Sequence, residues 1–159
     1  MKSKDFLKLA ACIIGCELAG AIGAVFTMPA IATWYASLEK PLISPPNWLF
    51  GPAWTVLYLL MGVALFLIWR KGLESKDAKI AVAAFCFQLA LNTLWSLIFF
   101  GLRNPFWALI EIIALWVAIA FTIATFFKVF RLAAFLLFPY ILWVTLAMYL
   151  NCSIWLLNM

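Results

Sequence analysis

The chain has 159 residues, 69% hydrophobic and 11% charged, with a mean hydropathy of +1.12. A soluble domain is excluded, because a chain of this length has too little interior to hide so much apolar side chain. There is no histidine, so the residue most used for proton transfer near neutral pH, and the main ligand of ordinary zinc and haem sites, is missing. The sequence predicts a single domain over residues 1–159, an all-α membrane protein with room for about five spans of roughly 20 apolar residues each.

The start, MKSKDFLKLAACIIGCELAGAIG, carries Lys2, Lys4 and Lys8 ahead of an apolar run that outlasts a signal-peptide core. A retained first span over about 6–27 is therefore expected. Ala11, Gly15, Ala19 and Gly23 recur every four residues, a small-residue stripe that suits either packing inside the bundle or a homodimer seam. Glu17 is ionisable within a span and must face protein or be protonated; its role is open between structure and function. Cys12, Cys16, Cys86 and Cys152 lie in apolar runs without a CxxC pair and read as small packing residues, with no metal site.

Ile31, Trp34, Tyr35 and Leu38 are spaced i, i+3, i+4, i+7, which predicts two turns of amphipathic helix ending before Pro41. This is too short to span, so it is expected to lie over the mouth of the bundle as a lid. Ser44 is placed to cap the next helix, with Pro45 and Pro46 in its first turn. Span two is expected over about 46–69, with Gly51-Pro52 distorting its first two turns and Arg70 and Lys71 ending it.

A charged loop, RKGLESKDAK, leads to span three over about 80–102. Gln88, Asn92, Trp95 and Phe99 share one face there, and amides in lipid need internal partners, so that face looks inward. The short turn GLRNP makes spans three and four an antiparallel hairpin; span four covers about 105–127, with Trp107 at its start and Glu111 about two turns in. Span five is expected over about 132–157, kinked at Pro139, with Trp143, Ala147 and Asn151 on one face.

The N-terminus and the second and fourth loops hold nine basic residues (Lys2, Lys4, Lys8, Arg70, Lys71, Lys76, Lys79, Lys128, Arg131), against Lys40 and Arg103 on the other side. The excess predicts a cytoplasmic N-terminus, with lid and C-terminus outside. It also accounts for the net charge of +5, with no nucleic-acid partner implied. Of the nine tryptophans, Trp48, Trp69, Trp107 and Trp155 lie near span ends, as lipid-interface residues do, whereas Trp54 and Trp143 lie within spans and Trp95 shares the face of Asn92. On pattern alone, an aromatic pocket and plain helix packing are equally served.

Three blocks, WYASLEKPLISPPNWLFGPAWTVLYLLMG, NTLWSLIFFGLRNP and PYILWVTLAMYLNCSIWLLN, resemble the TspO/MBR family of bacterial tryptophan-rich sensory proteins and mitochondrial translocator proteins. The ordered elements W-Y-x-x-L-x-K-P, P-P-x-W and F-x-P-x-W are specific to it. The resemblance implies a five-helix bundle in a membrane, here the bacterial cytoplasmic membrane, often dimeric. It implies binding of porphyrins and of benzodiazepine-type ligands under the first loop, with no cofactor required.

Carried over, the ligand-binding positions are Tyr35 and Pro45 from the loop, Trp54, Asn92 and Trp95, and Trp143 and Ala147 from the last span. The family tryptophans matching Trp54 and Trp143 are linked to light-dependent protoporphyrin breakdown, which would make these two catalytic. Gln88 and Asn92 are candidate donors to a ligand carbonyl or propionate, and Lys40 and Arg103 candidate propionate partners at the mouth. The cholesterol-recognition pattern of mammalian members is incomplete: Tyr149 is present, but no basic residue follows Arg131. Three functions follow as expectations: tetrapyrrole sensing, slow photo-oxidative porphyrin degradation, or porphyrin or sterol transport.

Overall fold

The computed structural model describes residues 3–159, so Lys2 lies outside the described residues. Its helices are α1 (Ser3–Ile31), α2 (Trp34–Ser37), α3 (Asn47–Lys71), α4 (Lys76–Ser96), α5 (Pro105–Val129), α6 (Arg131–Phe135) and α7 (Phe138–Leu157), with a π-helical turn at Leu97–Gly101 continuing α4. There is no strand among the described residues. Five helical stretches are long and apolar enough to cross a membrane, the last combining α6 and α7. The chain is thus a five-span helical bundle, as the sequence predicts.

The helices outrun the apolar segments. Lys76, Asp77 and Lys79, expected in the second loop, belong to the first turn of α4, because Ser75 caps that helix by accepting from the Ala78 N–H at 3.1 Å. The loop shrinks to residues 72–75. At the lid, α1 continues through Pro29 to Ile31, and a turn closed by the Thr33 N–H donating to the Ala30 carbonyl splits Ile31 from Trp34. The lid helix is therefore one turn, not two, and Leu38 is already extended.

Ser44 does not cap α3. Ser44 and Pro45 both precede a proline and are biased toward extended backbone; Pro46 stays extended too (φ −63°, ψ 144°), and the helix starts at Asn47.

α1 and α3 approach each other closely. A Cβ on Gly62 would fall 2.6 Å from the Ile13 Cα, so only glycine lets the two backbones come this near. The small residues of α1 that pack here are offset from the expected stripe: Cys12 and Cys16 are buried, and Gly20 faces the Tyr58 ring. Of the stripe itself, Gly23 packs on Ser96 and Ala19 accepts from Thr93, but Ala11 and Gly15 are exposed.

The inward face of α4 is as expected, with Gln88, Asn92, Trp95 and Phe99 all buried. Three hydrogen bonds cross the bundle from it. The Tyr58 hydroxyl donates to Asn92 Oδ1, Asn92 Nδ2 donates to the Tyr140 hydroxyl at 2.9 Å, and that hydroxyl donates to Gln88 Oε1 at 2.8 Å. Asn151 supplies a second tie, accepting from Trp95 Nε1 at 3.1 Å and donating to the Pro105 carbonyl at 2.7 Å. Such bonds satisfy polar groups that lipid cannot, with Gln88 Nε2 left without a partner among the described residues.

The fifth span bends where the sequence expects it. Leu136 and Leu137 form a turn between α6 and α7, and Pro139 sits at the second position of α7, where its missing N–H costs nothing. Both halves pack on α5, but of the two it is α6 that also packs substantially on α3. Between α3 and α7, toward the lid, this leaves a hollow.

Candidate functional site

That hollow is a cavity of about 400 Å³, within the usual range for small-molecule sites. Four spans and the lid wall it. From α3 come Phe50, Trp54 and Tyr58, from α7 Trp143, Ala147 and Leu150, and from the α4 side Trp95 and Phe100. α1 contributes the small side Gly20, Gly23 and Ala24 with Glu17 and Thr27, and Tyr35 comes from α2.

The aromatic groups hold one another in place. Tyr35 is 4% exposed and meets Phe50 and Phe99 edge-on, at centroid distances of 6.4 and 6.3 Å. Phe50 in turn meets Trp143 edge-on at 6.0 Å, across the gap between α3 and α7. Deeper in, Trp54 lies 5.6 Å from the Tyr58 ring and 6.3 Å from that of Tyr140. Each such pair adds about 0.5–1.5 kcal/mol beyond simple burial.

The π-helical turn explains Phe100. The Leu102 N–H bonds to the Leu97 carbonyl, a five-residue step, and the extra residue buries both Phe99 and Phe100 against Trp95. A regular helix would carry Phe100, five positions on, about 140° away from Trp95 and off its face.

Tyr35, Trp54, Trp95, Trp143 and Ala147 are brought together in one wall, as the carry-over predicts. Asn92 and Pro45 are not part of it. Asn92 is 2% exposed and does not line the cavity, and both ends of its amide are engaged by Tyr58 and Tyr140, so it supports the floor beneath Tyr58. Gln88 is likewise sealed away from the cavity. Pro45 is half-buried in the extended segment before α3, and Phe50, one turn into that helix, lines the cavity in its stead.

At the mouth, the Lys40 ammonium lies 4.8 Å from the centre of the Tyr35 ring, a cation–π contact. Burial pushes the Tyr35 phenol above its ordinary range, with the Ser44 side chain opposing the shift, so it is a neutral hydroxyl at physiological pH. Arg103 is not among the cavity residues; it sits at positive φ (52°) in the exposed turn before α5. The lid is fastened from the far end of the chain: the Glu39 N–H donates to Asn158 Oδ1 and Asn158 Nδ2 donates to the Glu39 carbonyl, both at 3.0 Å.

The two intramembrane carboxylates do not meet. Glu17 lines the main cavity, whereas Glu111 lines a shallow groove with Trp107 and Asn104, its carboxylate oxygens without a hydrogen-bond partner among the described residues. No cluster of metal-ligating side chains occurs among the described residues. Trp48 and Trp107 are exposed at span ends, as interface residues would be.

Phe50, Phe100 and Gly20 were not singled out by sequence reasoning, and Gly23 was read there only as a packing or dimer residue. Phe50 carries a signal in hindsight, since it opens the F-x-P-x-W element that also holds Trp54. Phe100 carries none, because its place depends on the π-helical turn.

Fold and site together define a multi-pass membrane protein with an aromatic cavity inside the bundle, roofed by its first loop. The TspO/MBR family model matches residues 12–156, and the chain belongs to that family. It is 46% identical to the tryptophan-rich protein TspO of Archaeoglobus fulgidus over 97% of this chain and 99% of that one. It is 39% identical to the translocator protein of Bos taurus, covering 87% and 83% of the two chains. Its identity to the tryptophan-rich sensory protein of Cereibacter sphaeroides is 39%, over 79% and 77%.

Proposed function

We propose that the protein binds porphyrin-type tetrapyrroles in the cavity under its lid and serves in tetrapyrrole sensing or regulation. The observation that carries this reading is the set of flat faces around one hollow: Trp54, Trp95 and Trp143 with Phe50, Phe100 and Tyr35. Indole and phenyl faces stack on a macrocycle, and an apolar wall with few polar groups is ordinary ligand-site chemistry. Lys40, held over Tyr35, supplies a cation for a propionate at the mouth. The relatives named as a tryptophan-rich sensory protein and as translocator proteins support a sensory or transport role in a membrane. By the basic-residue count the lid faces away from the cytoplasm. Ala11 and Gly15, left facing lipid, are where a second copy would pack in a homodimer.

A second reading, light-dependent porphyrin degradation, is favoured by one observation. Trp54 is flanked by the Tyr58 and Tyr140 rings at 5.6 and 6.3 Å, so an electron given up by the indole is replaceable from neighbouring phenols.

Titration of the purified protein with protoporphyrin, following tryptophan quenching in darkness, tests binding. Saturable quenching that weakens in Trp54→Phe and Trp143→Phe is expected, and no saturable quenching would overturn the reading. Illumination of the same samples then separates the two functions. Loss of porphyrin absorbance that depends on Trp54 or Trp143 supports degradation, while equal behaviour of wild type and variants leaves binding alone.

A further inference from the structure

Glu17 stands apart from the rest of the cavity wall. It is the one carboxyl among residues that are otherwise apolar, aromatic or hydroxyl-bearing. It lies 14 residues before Ile31, about 21 Å down α1 at 1.5 Å per residue, so it marks the inner end of a cavity whose mouth is at Ile31 and Tyr35. Three of the cavity's hydroxyls are committed elsewhere. The Tyr58 hydroxyl donates to Asn92, and Thr27 and Thr55 donate to the Gly23 and Gly51 carbonyls of their own helices. No side-chain hydrogen bond or ion pair of Glu17 forms among the described residues, and the cation nearest the ligand space, Lys40, is at the opposite end. A carboxyl at membrane depth needs a partner, and the cavity is the space it faces.

We propose that Glu17 is a specificity-determining residue, selecting flat apolar ligands that carry a hydrogen-bond-donating group, an ammonium or an N–H, at the end that enters first. With Lys40 at the mouth, the cavity is polarised: acid inside, base outside. Its preferred ligand is an amphiphilic aromatic molecule whose donor end points inward and whose acidic end, where it has one, points to the lid. This rests on the ligand-binding reading of the cavity and adds an orientation to it.

The probes are 1-pyrenemethylamine and 1-methylpyrene, which share a flat apolar body and differ in the ammonium. Affinities are read by quenching of tryptophan emission in wild type, Glu17→Gln and Glu17→Asp, with folding checked by far-ultraviolet dichroism. Wild type is expected to bind the amine at least tenfold more tightly than the hydrocarbon. Glu17→Gln should cut that preference at least fivefold while changing 1-methylpyrene affinity less than twofold, and Glu17→Asp should keep part of it. An amine preference equal in wild type and Glu17→Gln overturns the proposal for Glu17 while the cavity reading stands. Failure of wild type to bind either pyrene overturns both.

Discussion

Glu39 and Asn158 are 119 positions apart and hydrogen-bond to each other twice, side-chain amide against backbone, at 3.0 Å each way. The pairing joins the segment after the lid helix to the last residue but one of the chain. Asn158 can reach because its Nδ2 also donates to the Ile154 carbonyl at 2.8 Å, which steers the side chain back along the end of α7. The lid is thereby fixed to the helix that carries Trp143 and Ala147, so movement of either is felt by the other.

Asn158→Ala should release that fastening. The two bonds are solvent-exposed and together worth about 1 kcal/mol, so the lid is expected to open about fivefold more often. Hydrogen exchange at the Glu39 amide, whose partner is Asn158 Oδ1, should accelerate by that factor, with little change in thermal stability. Asn158→Asp keeps the acceptor and should retain the amide's protection; loss of protection there too would mean the side-chain donor does the fastening.

Asn92→Ala should act on stability and spare ligand contact. It leaves the Tyr58 and Tyr140 hydroxyls without their amide, at a cost of about 1–3 kcal/mol, and opens a small gap between α3, α4 and α7. The midpoint of thermal unfolding in detergent should fall by several degrees. Porphyrin affinity of the folded fraction should stay within about twofold of wild type, since Asn92 does not line the cavity. A tenfold loss of affinity without loss of stability would restore Asn92 to the binding site.

Legible in the sequence were the spans, the inward face of α4 and most of the residues that meet around the cavity, because each depends on local pattern: apolar length, four-residue spacing, or an indole placed within a span. What it did not carry depends on geometry between elements. Asn92 was legible as an inward amide, but an inward amide is satisfied by protein or ligand alike, and only the positions of Tyr58 and Tyr140 decide which. Phe100 was hidden because a five-residue backbone step is invisible to a 3.6-residue pattern. The stripe at Ala11, Gly15, Ala19 and Gly23 packs inside the bundle only at Ala19 and Gly23, while Ala11 and Gly15 are exposed. The close approach of α1 and α3 depends on Gly62 in the partner helix, a single glycine that spacing does not flag.

Gly62→Leu and Gly15→Leu should therefore behave as opposites. At Gly62 a side chain meets Ile13 backbone atoms at 2.6 and 3.0 Å, which cannot yield without prying α1 from α3; a loss of about 3 kcal/mol or more and a sharp fall in folded yield are expected. At Gly15 nothing lies within 4 Å of the added carbon, so folded yield should match wild type. The fraction of monodisperse protein after membrane extraction reads both. Equal yields from the two variants would place the close contact elsewhere.

Ala147→Thr should narrow the cavity without unfolding it. Ala147 lies one turn from Trp143 on the wall of α7, so two added heavy atoms intrude on ligand space. The helix tolerates threonine here, as Thr145 shows two residues earlier by donating to the Ile141 carbonyl at 2.8 Å. A threonine at 147 has the Trp143 carbonyl available in the same way. Overpacking costs about 1–3 kcal/mol, but in an unfilled cavity it is felt only when a bulky ligand must share the space. Protoporphyrin affinity is expected to fall about tenfold, while 1-methylpyrene, which is smaller, loses less than threefold and the unfolding midpoint stays within about two degrees. Equal weakening of both ligands would mean that threonine distorts α7, whereas unchanged affinity for both would remove Ala147 from the wall.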